Sequence, residues 1–453
     1  MSAEATAKLP GNPAYAWVCA AGGFLGQLAC VFCLAIYGMN MTVISEDFGV
    51  AVASLAIGTS VFGLCYAGLS FFWGGLADRI GIRLVQSIGC WGMGICLLLG
   101  GLIAPSVPVL IVLYAIAGVF DSAVGPGVNP KLIATWFHAS SRGKGMTVVT
   151  LGGTLAGVLM GIIGPMFIGM GGWRLCFEAY GIIMLVLGVL VFLMERNSPA
   201  SIGTVPFGSP AGTQIEDIKR EKTEAEKAAD KERTRRVLKM PMTWKYGIVY
   251  IFWQFYLMAI QAFLVAGVVY AGFDLVVAGL VSSLNTAAMC VGTIVMPAVS
   301  DRMSRKKLLA IMCLLSGLCF IAFYFVLGMN NVILLYGAIL VTGFLSATTP
   351  LIQTTVSEVF PPDLRGTGPG MVSTIALIGR FFGPIIAGAI IGATGGNTPM
   401  AYIFAGACLV IAAILAWIWL PNTSGKYGDP LAEEYERQHA AALAADAEAT
   451  ASE

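Results

Sequence analysis

Charge and histidine are what this sequence has least of. Of 453 residues, 26 are Lys or Arg and 25 are Asp or Glu, 11% in all, where a soluble protein carries about 25%. A net charge of +1 provides no basic, aromatic-interleaved face, so no nucleic-acid partner is expected. The two histidines, His138 and His439, are too few for a histidine metal cage or imidazole-based catalysis. No phosphate-binding P-loop occurs, so ATP is not the direct energy source, and no cofactor or metal is implied. The eleven cysteines fall mostly in apolar runs. Cys30 and Cys33 form a C-x-x-C inside the first of these runs, where a thiolate is disfavoured, and read as small packing residues. The N-terminal segment, 1–15, has no basic region followed by a cleavage site, so no removable signal peptide is expected.

Apolar sequence is what remains: 57% of the chain is hydrophobic and its mean hydropathy is +0.83. Runs of about 20 apolar residues cross a bilayer as helices. Twelve can be placed, at about 16–39, 51–75, 84–103, 109–135, 144–168, 174–194, 244–270, 275–298, 307–327, 331–354, 367–391 and 400–420. The chain therefore reads as an all-α polytopic membrane protein with two six-helix halves, 16–194 and 244–420. A charged linker, 195–243, separates them, and the tail 421–453 is expected to be disordered. Within the linker, Glu216 to Lys239 suits a solvated helix, although Asp217–Glu221 and Glu226–Asp230 repel at i,i+4. Lys and Arg concentrate in alternate loops, with Arg174 the main exception. Cations mark the cytoplasmic side, which places both termini inside the cell.

Two charged motifs recur at one offset. Gly74-Gly-Leu-Ala-Asp78-Arg79-Ile-Gly81-Ile-Arg83 follows the second run, and Pro297-Ala-Val-Ser-Asp301-Arg302-Met-Ser-Arg305-Lys306 follows the eighth, 223 residues later. Trp136-Phe137 with Arg142-Gly143-Lys-Gly145 is matched by Val359-Phe360 with Arg365-Gly366-Thr-Gly368 at the same offset. A shared offset indicates a duplicated architecture. Twelve spans in two halves, with these hairpins, resemble the major facilitator superfamily over roughly residues 16–420. The family hairpin runs Gly-x-x-x-Asp-Arg-x-Gly-Arg-Lys/Arg; Gly74, Asp78, Arg79, Gly81 and Arg83 match it, while Ile82 replaces a cation. The second copy keeps Asp301, Arg302, Arg305 and Lys306, with Pro297 and Ser304 in place of glycines.

The resemblance implies a conformational latch. Asp78 would face the start of span eleven near Gly366–Gly370, and Asp301 the start of span five near Gly143–Gly145. A carboxylate there gains from unpaired amides and the helix dipole. For Arg83 and Lys306, a purely topological role is as good an account. Glu358 and Arg365 have a spacing common in the superfamily, and an ion pair between them at the cytoplasmic rim accounts for it.

Polar residues at mid-depth carry the substrate question. Arg380 lies halfway along span eleven, where insertion of a cation costs ~2.5–3.5 kcal/mol unless it faces a wet cavity. Its planar fork suits a carboxylate and cannot discharge. An anion clamp is the functional reading, and a pair with Asp121 the structural one. Asp121, in the middle of span four, is the first candidate for proton coupling. Gln254 and Gln261 share a face of span seven; with Gln27, Asn285 and Gln353 they could bind a midplane ligand. Trp253 and Tyr256 are more simply packing residues. Lys131 reads as an interfacial cation, Arg174 and Glu178 as a local pair, and Asp274 as a loop-edge residue.

Gly379-Arg380 in span eleven resembles organic-acid/proton symporters of the superfamily. Their Asp-Gly-x-Asp in span one is absent; Tyr37-Gly-Met-Asn40 and the later Asp47-Phe-Gly look closer to monocarboxylate and oxalate/formate-type members. Tyr114 stands where sugar-phosphate members carry arginine. The resemblance thus implies a secondary transporter of a small organic anion, a proton symporter or an anion exchanger, in the plasma (inner) membrane. A monomer suffices, since both halves lie in one chain. Efflux of amphiphilic drugs or metabolites, and a non-transporting nutrient receptor, are the alternatives. A membrane enzyme lacks any catalytic constellation.

Overall fold

The computed structural model describes residues 12–138, 140–209, 224–300, 302–361, 364, 367–422 and 437. Its contacts divide it into two compact units, Met1–Lys222 and Thr223–Glu453. The first holds α1 (Tyr15–Phe48), α2 (Val52–Gly68), α3 (Ser70–Ile80), α4 (Ile82–Ile103), α5 (Val107–Asp121), α6 (Gly125–Trp136) and α7 (Arg142–Met194). The second holds α8 (Glu224–Lys239), α9 (Pro241–Tyr270), α10 (Leu275–Ser300), α11 (Arg305–Leu327), α12 (Val332–Leu345), α13 (Thr349–Val359), α14 (Gly368–Ala393) and α15 (Met400–Trp419).

Several spans are broken or merged, and this is where the helices depart from the apolar runs. Span two is α2 plus α3, interrupted at Leu69. Span four is α5 plus α6, interrupted at Ser122–Val124, with proline in the first turn of α6. Span ten is α12 plus α13, interrupted at Ser346–Thr348 and again restarted on a proline. Proline lacks an amide hydrogen and clashes with the preceding turn, so it restarts a helix more readily than it continues one. Spans five and six form one 53-residue helical stretch, α7. A straight helix of that length would reach about 80 Å, far beyond a ~30 Å hydrocarbon core. It turns instead at Gly171 and Gly172, where Gly172 has φ 72° and ψ −170°, a conformation only glycine adopts freely. Among the described residues nine helices are long and apolar enough to cross a membrane, or ten with α2 and α3 as one bent span. Taking α7 as two spans and α5 with α6 as one gives twelve.

Two expectations change. Span one continues past residue 39 to Phe48, so Asn40 and Asp47 belong to the helix. The linker, read as mostly solvated, also packs at both of its ends. The Phe207 ring sits against Trp17 and Phe137, its backbone amide donates to Trp136 O, and its carbonyl accepts from His138 N. Glu195 and Thr204, in the first part of the linker, are fully buried. In α8, Val237 is fully buried and its carbonyl accepts from the Thr243 hydroxyl at 2.6 Å. Residues 210–223 lie outside the described residues, as do 1–11 and almost all of the tail.

Helix contacts inside each unit rely on bare backbone. A Cβ on Gly94 would stand 2.8 Å from Gly181 O, and one on Gly181 would stand 2.9 Å from Gly94 O. In the second unit Gly317 and Gly406 make the same mutual contact, at 2.7 and 2.5 Å. Such small-residue seams replace the hydrophobic driving force that lipid removes. The pairs join spans three and six in one unit, and nine and twelve in the other.

Candidate functional site

Among the described residues, each charged hairpin has an ion pair within its own unit. Lys131 Nζ, on α6, is ion-paired with Asp78 and also donates to Gly74 O at 3.1 Å. Lys131 is therefore a ligand of the hairpin rather than a free interfacial cation. Arg83 donates from Nε to Phe192 O at 2.6 Å and lies 3.8 Å from the Phe192 ring centroid, tying the start of α4 to the end of α7. Gly81 adopts φ 95°, with the Asn197 amide where a Cβ would stand, and Asn197 Oδ1 accepts from Arg83 N at 3.2 Å. Gly74 lies close to Gly127 O, and Arg79 is exposed.

In the second hairpin, Arg305 is ion-paired with Glu358 on α13. Glu358 was expected to meet Arg365, which, like Asp301 and Gly366, lies outside the described residues. Arg302 is exposed and Lys306 half-buried. Arg174 departs from expectation too. It reaches Asp47 at 3.7 Å rather than Glu178, donates to Gly101 O and Ala104 O, and stacks on Trp173. The extension of α1 to Phe48 is what brings Asp47 within reach.

Polar groups at mid-depth of the second unit gather where α14 crosses α9. A Cβ on Gly379 would strike Ile251 O and approach Gln254 Cβ at 2.8 Å, so the two helices touch beside Arg380. Arg380, half-buried, acts electrostatically on the buried Tyr250 phenol. Gln254 is 7% exposed, and its Oε1 has no partner among the described residues. Trp253 donates its indole hydrogen to Thr348 Oγ1 at 2.8 Å, anchoring α9 to the break in span ten. This cluster of Arg380, Gln254 and Tyr250 is a compact cation flanked by neutral polar groups, suited to an anion. Gln261 is half-buried further along α9, and Gln353 is exposed. Asn285 is buried at the contact of α10 with α12, its Oδ1 without a partner among the described residues. An apolar groove between α11 and α12, lined by Cys319, Phe323, Gly337 and Thr342, brings no converging polar groups.

The first unit holds a buried polar chain that sequence reasoning found only at one end. Gln27 Oε1 accepts from Asn129 Nδ2 at 2.9 Å, and Asn129 Oδ1 accepts from Gln86 Nε2 at 2.6 Å. Beyond Gln86 stands Glu195, fully buried at the end of α7, and burial holds its carboxyl well above the usual carboxylate range. Asn129 is followed by Pro130 inside α6, a cue that was available; Glu195 opens the charged linker and resembled a loop residue. Asp121 is fully buried at the break in span four. Tyr114 donates its hydroxyl hydrogen to Leu34 O at 3.0 Å and stacks between Tyr37 and Phe62. Cys30 and Cys33 are buried, and no disulfide joins cysteines among the described residues. No metal-holding group of His, Cys, Asp and Glu occurs among them either.

The family model of the Major Facilitator Superfamily matches residues 23–381 and 271–445. The chain belongs to the Major Facilitator Superfamily. It is a multi-pass integral membrane transporter, not an enzyme. Among superfamily relatives, a gallate transporter of Pseudomonas putida is 24% identical over 420 residues, covering 88% of this chain and 91% of that one. A probable galactarate/D-glucarate transporter of Bacillus subtilis (strain 168) is 25% identical over 404 residues, covering 83% and 85%. The fold is shared with a D-xylose–proton symporter, at TM-score 0.72 and 17% identity over 91% of this chain and 99% of that one. An inward-facing, occupied bacterial homologue of the human lysosomal transporter Spinster also has TM-score 0.72, at 16% identity over 90% and 97%.

Proposed function

We propose that this superfamily member carries a small organic anion, a carboxylate, across the plasma (inner) membrane by alternating access of its two halves. Transport is by proton symport or by exchange for another anion, and one chain is the working unit. Both termini lie on the cytoplasmic side, as the Lys and Arg distribution indicates. The observation that carries this reading is Arg380, a permanent cation at mid-depth of α14, beside Gln254 and Tyr250. A guanidinium in that position favours a carboxylate over a neutral or cationic solute. The acid-transporter names of the gallate and galactarate/D-glucarate relatives support it. Gln261, Asn285, Gln353 and Gln27 are further candidate contacts, and Asp121 is the first candidate proton site. Asp78 and Asp301, with the hairpin cations, Glu358 and Arg365, are proposed to form the cytoplasmic latch.

The test is uptake of gallate, D-glucarate, L-galactonate and simple monocarboxylates into proteoliposomes with an inward proton gradient, for wild type and Arg380→Gln. Saturable uptake of one anion, lost in a variant that remains folded, supports the clamp. Gradient dependence then makes Asp121→Asn the next comparison. If no carboxylate moves, or if Arg380→Gln transports normally, Arg380 is structural and efflux of amphiphilic compounds becomes the better account.

A further inference from the structure

Glu195 is a fully buried acid outside the mid-depth site, and it sits in a prepared place. Gly22 on α1 leaves room for it, since a Cβ there would stand 2.6 Å from Glu195 Cγ. No ion pair reaches its carboxylate among the described residues. The neighbouring Arg196 guanidinium is spent on the backbone carbonyls of Leu193 and Glu195, at 2.9 and 2.7 Å. The titratable and charged groups around it are Cys19 on α1, Cys90 and Arg83 on α4, and Arg196 on its own segment. Trp136 on α6 donates to Arg196 O, and Asp121 acts on Cys90 from the far side. The groups that face the carboxyl are thus thiols and amides, with its nearest cation turned to the backbone.

What faces Glu195 directly is the Gln86 amide, which fits in either of two orientations. In one, Gln86 Nε2 donates to Asn129 Oδ1 and its oxygen faces Glu195. In the other, the Gln86 nitrogen donates to Glu195 Oε2 at 2.7 Å, and its oxygen stands 2.6 Å from Asn129 Oδ1. Two oxygens at that separation need a hydrogen between them, so the Asn129 amide must turn as well, and Gln27 with it. The three amides therefore have two self-consistent polarities. With neutral Glu195, its O–H donates to Gln86, Gln86 donates to Asn129, Asn129 donates to Gln27 Oε1, and Gln27 is left offering an N–H. With ionised Glu195 every bond reverses, and Gln27 is left offering an oxygen.

We propose that protonation of Glu195 sets the direction of the Gln86–Asn129–Gln27 amide chain and so switches Gln27 between hydrogen-bond donor and acceptor. The only bond made is O–H on the carboxyl, with the proton taken from water; the amides rotate and transfer no proton. An anion is held by a donor and repelled by an acceptor. Proton uptake and anion binding are thus favourable together, which is the thermodynamic requirement of symport. This last step rests on the reading of the protein as an anion carrier that uses Gln27; the switch itself does not. The raised proton affinity of the buried carboxyl agrees with it.

The switch is read without substrate, by infrared difference spectra of the full-length protein in lipid nanodiscs as pH is raised. Wild type is expected to lose a protonated-carboxyl C=O band together with a change in side-chain amide bands. In Glu195→Gln the amide change should vanish and the carboxyl band should shrink to what Asp121 alone supplies, and Asn129→Leu should keep the carboxyl band while reducing the amide change. Loss of the carboxyl band with no amide response in wild type overturns the switch, as does an amide change or a full-sized carboxyl band that survives in Glu195→Gln. Should Glu195→Gln fail to fold, the wild-type and Asn129→Leu spectra decide between the same outcomes. Gallate, with D-glucarate as second probe, supplies the coupled arm. Wild-type affinity is expected to fall roughly tenfold or more as the carboxyl ionises, and Gln86→Leu to remove that fall. If neither probe binds to wild type while the infrared switch is present, the anion-carrier reading fails and the switch stands.

Discussion

The ammonium group of Lys131 is ion-paired with the carboxylate of Asp78 and bonded to the Gly74 carbonyl of the same hairpin. The second unit ties its hairpin to span ten through Arg305 and Glu358, with the charges exchanged: the base is on the hairpin and the acid on the span. In both units the loop that follows the second helix of the repeat is fastened to the end of the fourth. The two pairs differ in exposure, Lys131 and Asp78 being 30% and 69% exposed and Arg305 and Glu358 15% and 32%.

That difference ranks their contributions. Asp78→Asn is expected to destabilise by less than about 1 kcal/mol, as exposed pairs do. Glu358→Gln removes the charge that faces a mostly buried guanidinium and is expected to cost about 1–3 kcal/mol. Thermal unfolding of the purified variants in one detergent measures both, and an equal or reversed order would refute the ranking.

Gly81 and Gly75 lie six residues apart in the first hairpin region but in opposite circumstances. Gly81 has φ 95° and ψ 152° against the Asn197 amide, whereas a Cβ on Gly75, within α3, meets nothing within 4 Å. Gly81→Ala is expected to cost about 1–3 kcal/mol in backbone strain, before any steric clash. Gly75→Ala is expected to be neutral or stabilising by up to about 1 kcal/mol. Melting temperatures of the two variants decide it; a Gly81→Ala protein as stable as wild type would show that the hairpin is not held in this form.

Glu195 gives stability a pH dependence of unusual sign. Its carboxyl affinity for a proton is raised by burial, so the folded state keeps a proton that the unfolded chain releases above about pH 4.3. Stability from this group is greatest below that pH and declines as pH rises toward the folded-state value, by about 1.4 kcal/mol per pH unit. Glu195→Gln should remove the decline and gain on wild type with rising pH. Parallel melting curves of the two proteins across pH would contradict this.

Arg174 holds α7 to the end of α4 through the Gly101 and Ala104 carbonyls and stacks 4.4 Å from the Trp173 ring centroid. Lysine keeps the charge but lacks the planar fork, so Arg174→Lys is expected to cost about 1–2 kcal/mol. Asp47→Asn should cost less, because the pair is 39% and 47% exposed and an asparagine oxygen can still accept from the Trp173 indole. Chemical or thermal unfolding midpoints of the two variants test the order.

The twelve spans, the repeat and the mid-helix place of Arg380 were legible because each depends on local sequence: run length, an offset, and a cation in an apolar stretch. Partners across the fold were not. Arg174 has Glu178 one turn away, yet it reaches Asp47 because α1 runs further than its apolar stretch. Lys131 reads as a rim cation until α6 is seen beside α3. Glu195 adjoins a charged linker, and only the fold shows it buried against Gly22 of α1 and the Gln86 amide of α4. Proline at the start of α6 and of α13 signals a break, but not that Asp121 would lie buried at its edge.

The breaks in spans four and ten fall at Ser122–Val124 and Ser346–Thr348, matching to within one residue at the 223-residue offset of the hairpins. The two copies thus preserve a common interruption while having fastened their hairpins with opposite charges. The joint in the fourth span of each half therefore does not depend on the sign of the charge by which that span holds the hairpin: an acid and a base serve equally beside the same interruption.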